Sequence, residues 1–160
     1  MTKYWAIAPW PNNEPDIFNT VWRYDTEHGT IAIRWHQLGD LTGLPKQQIA
    51  AQYRETHGED SAPAVKMLWD FYNEVEPEDV VIARRGRHFC IGLGRITRPA
   101  YFDLARGQAR LNGVPHRYVG ASFVEVEWEW LGIRPVSEPF TMNTISNIGA
   151  AKFHRILPHD

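Results

Sequence analysis

Residues 122–130, SFVEVEWEW, carry the strictest pattern in this 160-residue chain: Val124, Val126, Trp128 and Trp130 alternate with Glu125, Glu127 and Glu129. Successive side chains of a strand point to opposite faces. A period of two therefore predicts a half-buried antiparallel strand, with the four apolar residues inward and the glutamates in water. The acidic triple reads as a solvated strand face rather than as a metal-nuclease centre. Such a strand needs partners. KYWAIA (3–8), TIAIRW (30–35) and the two arms of a hairpin, 79–84 and 88–97, supply them. Gly92 and Gly94 in the second arm mark a bulge or a close backbone approach.

Between these strands lie helical patterns. DIFNTVWRY (16–24) reads as a short helix capped by Asp16, with Ile17, Thr20/Val21 and Tyr24 on one side and Gly29 beyond its end. Pro45 suits the first turn of a helix over 45–56, and Gly58 suits its end. Ser61 caps a helix over 61–75, where Val65, Leu68/Trp69, Tyr72 and Val75 recur at helical spacing and make Trp69 a core residue. PWPNNEP (9–15) and LGDLTGL (38–44) are loops. Residues 98–117 read as a long basic loop with room for one helical turn, and Met142, Ile145 and Ile148 as a short terminal helix. The order β-α-β-α-α-β-β-β-α predicts one α+β domain over 1–160, built on a small, strongly bent or barrel-like sheet.

The net charge of −2 conceals an asymmetry. Residues 81–120 hold eight arginines (84, 85, 87, 95, 98, 106, 110 and 117) against a single acid, Asp103, while the rest of the chain is acidic by nine charges. Arg84, Arg85, Arg87 and His88 gather at the hairpin bend. Two readings are open: a surface for polyanions, or arginines that pair with acids brought from elsewhere by the fold. No run of about 18 apolar residues occurs, which speaks against a membrane span. The start MTKYWAIAPW does not read as a convincing secretory signal, and the lone Cys90 excludes an internal disulfide, so a cytoplasmic setting is expected. Mid-strand, Cys90 reads as a buried inert thiol.

Catalytic signals are sparse. The seven histidines lack metal-ligand spacing, no G-x-S-x-G or P-loop occurs, and GLGRIT is followed by a strand rather than a helix. A binding module is expected, with no catalytic set, metal or cofactor. Aromatic residues beside the basic region point to its ligand. Trp10 sits between two prolines, Trp22 late in the first helix, Trp35 at a strand end, and Tyr101 and Phe102 directly after the basic hairpin. Rings for stacking beside cations for phosphates suit a nucleotide.

VWRYDTEHGTIAIRWHQLGDLTG, then VKMLWDFYNEVEPEDVVIARRG, IGLGRITRPAYFD and MNTISNI follow one another over residues 19–150. In this order they resemble the EVE-type domains of McrB-like modification-dependent restriction proteins, PUA-like domains related to the YTH domains. The resemblance implies a PUA-like, strongly bent mixed sheet or open barrel flanked by short helices. It implies a reader that binds DNA and flips a methylated or hydroxymethylated base into an aromatic cage. The base is cytosine in the first instance, or N6-methyladenine. An RNA-binding PUA/YTH-like domain for a modified RNA base is the alternative. By motif position, Trp22 matches the first cage tryptophan, and Trp35 the tryptophan of an I-A-I-G-W strand, with Arg34 replacing glycine. Tyr101 and Phe102 match an aromatic pair, and Asp40 the acid of L-G-D-L. Trp10 falls in the loop that helps line the YTH pocket, where Asn12 and Asn13 are candidates for a base edge or simply turn formers. Arg84 and Arg85 match a basic pair, and Arg87, Arg95 and Arg98 complete the expected phosphate-binding set. Glu78-Asp79 replaces Gly-Asp, a departure expected to affect only the turn. A nuclease or NTPase would come from a fused or separate restriction subunit, no membrane is involved, and the isolated domain is expected to be monomeric.

Overall fold

Six strands form one sheet in the computed structural model, which describes residues 1–157. They are β1 (Tyr4–Ile7), β2 (Thr30–Ile33), β3 (Val80–Arg85), β4 (Phe89–Phe102), β5 (Ser122–Pro135) and β6 (Ile145–Asn147). Their order is β2-β5-β4-β3-β1-β6, antiparallel except for the β1–β3 pair. Five short helices accompany the sheet: α1 (Pro15–His28), α2 (Lys46–His57), α3 (Ala62–Trp69), α4 (Leu104–Arg110) and α5 (Gly149–Ile156). The sheet curls into a half-barrel, so the α+β expectation of a strongly bent sheet holds.

The curl has a local cause. β4 and β5 pair along fourteen residues each, and their register slips between Cys90 and Gly92, Leu93 and Gly94, Ile96 and Arg98, and Arg98 and Tyr101. Each bulge adds twist and bends the strand. One bulge also corrects the four-residue alternation. Leu93 pairs with Trp130 and Gly94 with Trp128, so Glu129 is an extra residue. Beyond it the faces exchange. Val124, Val126 and Trp128 pack with Trp5, Ile7, Phe18 and Val81. Trp130 packs on the opposite side with Leu93, Ile82, Cys90 and the α5 residues Phe153 and Ile156.

Several elements run further than their patterns predict. α1 begins at Pro15, whose fixed φ suits a first helical turn, and not on an Asp16 cap. It buries Phe18, Val21 and Asp25 instead of Ile17, Thr20 and Tyr24. β4 continues through Phe102, and Asp103 then caps α4 by accepting from the Arg106 N–H at 2.9 Å. Residues 98–117 are therefore strand and helix before they are loop. The expected helix around Ile145 is β6, and the last helix starts at Gly149. Ser61 caps α3 as expected, but that helix passes into a single π turn over Asp70–Glu74. At the turn before β3, Glu78 adopts φ 75°, the left-handed conformation that favours the glycine of the resembling motif. Asp79 beside it accepts from the Lys3 and Glu76 N–H groups and from Trp5 Nε1, fastening β1 to β3.

A buried ion pair links the edge strand β2 to the segment after β1, the strand next to the other edge. Asp25 and Arg110 are 0% and 1% exposed. Arg110 Nε donates to Asp25 Oδ1 at 3.0 Å and its Nη2 to Oδ2 at 2.7 Å. The same Nη2 donates to the Pro9 carbonyl just after β1, and the Thr30 hydroxyl at the head of β2 donates to Asp25 Oδ1. Gly120 leaves the room required: a Cβ there would lie 2.6 Å from Arg110 Nη1. Burial pushes the Asp25 carboxyl up, against the pull of Arg110 and Thr30. Removing one member strands the other charge in a dry site. Arg110→Met is expected to lower the stability by about 3–5 kcal/mol in urea unfolding followed by circular dichroism.

Candidate functional site

Three strands separate β1 from β2 in the sheet order, yet residues of β2 and of the segment after β1 line one cavity. The curl brings them together. The cavity measures about 1070 Å³. Ala8 after β1, Ala32 and Ile33 of β2 and Arg84 of β3 form its strand walls. Its rim comes from the loop before α1, the β3–β4 hairpin, the segment between α4 and β5, and the approach to β6.

The arginines of the basic third fall into two sets, and Arg110, though paired, also lines the cavity. Four of the eight arginines meet acids. Arg95 pairs with Glu78 and Glu129, Arg98 with Glu125, Arg106 with Glu125, and Arg110 with Asp25. The other four, Arg84, Arg85, Arg87 and Arg117, form no ion pair among the described residues. Three of these, Arg84, Arg87 and Arg117, line the cavity, and Arg34 joins them from the end of β2. Arg84 is buried and donates from Nη1 to the Gly86 carbonyl and from Nη2 to the Asn143 carbonyl, both at 2.6 Å. Burial, and then the charge of Arg87, pull its guanidinium below the usual range. Arg87 Nε donates to the Phe140 carbonyl at 2.9 Å. Arg85 turns to the rim, where Asn12 and Asn19 accept from it and Phe18 lies under its guanidinium.

Trp10, His116 and Tyr118 give the cavity an aromatic wall, with Arg117 over the Tyr118 ring. One carboxylate organises it. Trp10 Nε1 donates to Glu14 Oε1 at 3.2 Å, and His116 Nε2 lies 2.9 Å from Glu14 Oε2. Since His116 Nδ1 accepts from the Tyr118 N–H, the imidazole donates to Glu14 through Nε2. Trp10 and His116 meet edge to face at 5.1 Å. The His116 hydrogen bond, ahead of the one from Trp10, holds the Glu14 carboxyl below the usual carboxylate range. Glu14 and His116 are 102 residues apart, and no local pattern announces their meeting.

Of the residues singled out in the sequence, the cavity brings together Trp10, Asn12, Asn13, Arg84 and Arg87. The others lie elsewhere. Trp22 does not line it. From the middle of α1 the Trp22 indole lies over the sheet, edge-on to Trp128 at 5.0 Å. The absent side chain of Gly92 makes the space, since a Cβ there would sit 2.9 Å from Trp22 Cη2. Gly92 and Gly94 thus mark both a bulge and a close approach, as expected. Trp35 packs against the core at φ 76°, with Arg34 over its ring. Asp40 accepts from the Thr42 N–H and hydroxyl and serves its own loop. Tyr101 stacks on Phe123 beneath Arg98, Phe102 packs against the core, and Arg95 and Arg98 are occupied by glutamates on the sheet surface. Arg34, Glu14, His116, Arg117 and Tyr118 enter the site from positions outside the expected set. Cys90 is buried, and burial pushes its thiol up to about 11. Among the described residues no three His, Cys, Asp or Glu side chains stand together as a metal site, and no helix is long and apolar enough to cross a membrane.

A family model described as "Domain of unknown function (DUF8426)" matches residues 11–148, a span that takes in most of the cavity. No curated protein matches the chain.

The aromatic wall has a pH dependence of defined sign. The fold favours the charged form of Glu14. Its contribution is therefore present above the ordinary carboxyl value of 4.5 and is lost as pH falls through the lowered native value. Tryptophan fluorescence titrated downward from neutral pH is expected to show a wall-opening transition below 4.5. In Glu14→Gln that transition is absent; an identical transition in both proteins would detach Glu14 from the wall.

Proposed function

The chain belongs to the DUF8426 family, and we propose that it is a nucleic-acid-binding module that reads a modified base, drawn out of a DNA duplex into the cavity. One observation carries this reading: three of the four arginines of the basic segment that form no ion pair, Arg84, Arg87 and Arg117, line one large cavity that also has an aromatic wall. Of the paired arginines, Arg95, Arg98 and Arg106 lie outside the cavity, and Arg110 lines it already neutralised by Asp25. Those kept unpaired create a field that attracts a polyanion. The curled sheet and the resemblance to EVE-type domains support the same reading. The cage assignment changes, however. Trp10, His116 and Tyr118 replace Trp22, Trp35, Tyr101 and Phe102 as the surface that meets the ring.

The energetics are balanced by three contributions. Extruding a base costs a few kcal/mol. Contact with an aromatic wall returns about 1–3 kcal/mol. Contacts from Arg34, Arg85, Arg87 and Arg117 to strand phosphates supply the remainder and set the register. A buried methyl adds only about 0.8 kcal/mol. Strong discrimination then rests on polar groups left unpaired by the wrong base, and Asn12 and Asn13 stand at the rim to make that distinction. A nuclease or motor acting on the bound site would belong to a fused or partner subunit.

The test is a binding panel of duplexes carrying 5-methylcytosine, 5-hydroxymethylcytosine, N6-methyladenine or no modification, with ribose versions of the same sequences. One modified DNA duplex is expected to bind best. Preference for a ribose ligand would transfer the reading to modified RNA, and equal binding of all ligands would end it. Tyr118→Ala should weaken the preferred duplex about tenfold or more. Trp22→Ala should lower stability and leave the preference intact. Arg87→Gln with Arg117→Gln should weaken every duplex alike and reduce the salt slope by about one per arginine.

A further inference from the structure

We propose that the cavity takes in a phosphate group together with the ring, seated against Arg84 and Arg87, so that its ligand is a whole nucleotide and not a neutral base alone. This deepens the reading above and rests on it. Arg84 is 6% exposed and lines the cavity. Its two terminal nitrogens are fixed by the carbonyls of Gly86 and Asn143, which satisfies hydrogen bonds and leaves the charge uncancelled. Arg87 lines the same space and adds a second positive charge. The carboxylate that lines the cavity, Glu14, is engaged by Trp10 and His116, lies within the field of Arg117, and forms no ion pair with Arg84 or Arg87.

A buried charge without a counter-charge is costly unless a ligand supplies one. The edge of a neutral base would leave Arg84 and Arg87 repelling each other in a site from which water has been displaced. A phosphate cancels both. It also matches the guanidinium fork, whose remaining N–H groups suit the oxygens of a tetrahedral anion. The cavity, at about 1070 Å³, exceeds what a single base needs and is large enough for ring, sugar and phosphate together. The arginine is also held in place before the ligand arrives, so its side-chain ordering is not charged against binding.

The experiment measures calorimetric binding of the full chain to nucleosides, their 5′- and 3′-monophosphates (5-methylcytidine and N6-methyladenosine included), inorganic phosphate and the preferred modified duplex. A monophosphate is expected to bind at least tenfold tighter than its nucleoside, with inorganic phosphate competing. Arg84→Gln and Arg87→Gln should each bring the monophosphate towards the nucleoside level, and Arg84→Lys should restore part of the difference. Thermal unfolding reports whether each variant folds. If Arg84→Gln does not, the wild-type ratio and Arg87→Gln decide. Equal binding of nucleoside and monophosphate, or a folded Arg84→Gln that keeps the full preference, overturns the phosphate seat. Modified-duplex binding without a monophosphate preference would remove this inference and leave the reader function standing. A monophosphate preference without duplex binding would remove the reader function and leave the phosphate site. Binding of neither removes both.

Discussion

The Asp25–Arg110 pair is the interaction on which the shape of this molecule depends. The curl leaves a gap between β2, at one edge, and β1, which lies one strand inside the other edge. Here the gap is spanned by one guanidinium that reaches the carbonyl after β1 and a carboxylate anchored to the first residue of β2. The Trp128 indole N–H completes the arrangement by donating to the Asp25 carbonyl. Buried pairs of this kind add little net stability over an apolar contact, because desolvation opposes the attraction. Their effect is to admit one arrangement and penalise others. An apolar plug would tolerate several spacings between β1 and β2; a two-pronged ion pair tolerates one, and the cavity beside it inherits that spacing.

The distribution of the remaining arginines follows from the same economy of charge. Arg95, Arg98 and Arg106 lie over strand surfaces whose glutamates neutralise them. Glu125 and Glu129 of β5 therefore have a use beyond solubility: they neutralise Arg95, Arg98 and Arg106 on the sheet and leave the uncompensated arginines at the cavity and its rim. A chain with a slightly negative total can in this way present a cationic cavity. Of the two readings of the basic segment, pairing with distant acids holds for four of its eight arginines.

Much of the scaffold was legible. Strict alternation located β5, turn residues located the helix ends, and the two glycines of β4 foretold close packing on that strand. What escaped was the direction in which side chains point. A bulge at Glu129 is invisible to a period-of-two pattern, yet it sends Trp130 to the other face. In α1, apolar residues lie on more than one side, so spacing alone did not decide which side meets the sheet; the burial of Phe18 and Val21 carries Trp22 over Gly92 and away from the cavity. Motif resemblance orders residues along the chain but does not aim them. The site's wall depends on Glu14 meeting His116, a contact made by the irregular segment after α4, where no periodicity operates. The basic hairpin was legible because its signal is compositional and survives any rotation of the side chains.

The parallel pairing of β1 has a consequence for assembly. β1 is synthesised before either neighbour, and those neighbours, β3 and β6, come from the middle and the far end of the chain. Its backbone groups must wait unpaired through most of translation. Non-local pairing of this kind is slow relative to helix and hairpin formation. The β3–β4 hairpin can form first from its local turn, and docking of β1 on β3 must follow it. Until that moment an apolar strand, YWAI, is open to the wrong partner, which makes the nascent chain more vulnerable to aggregation than the finished fold.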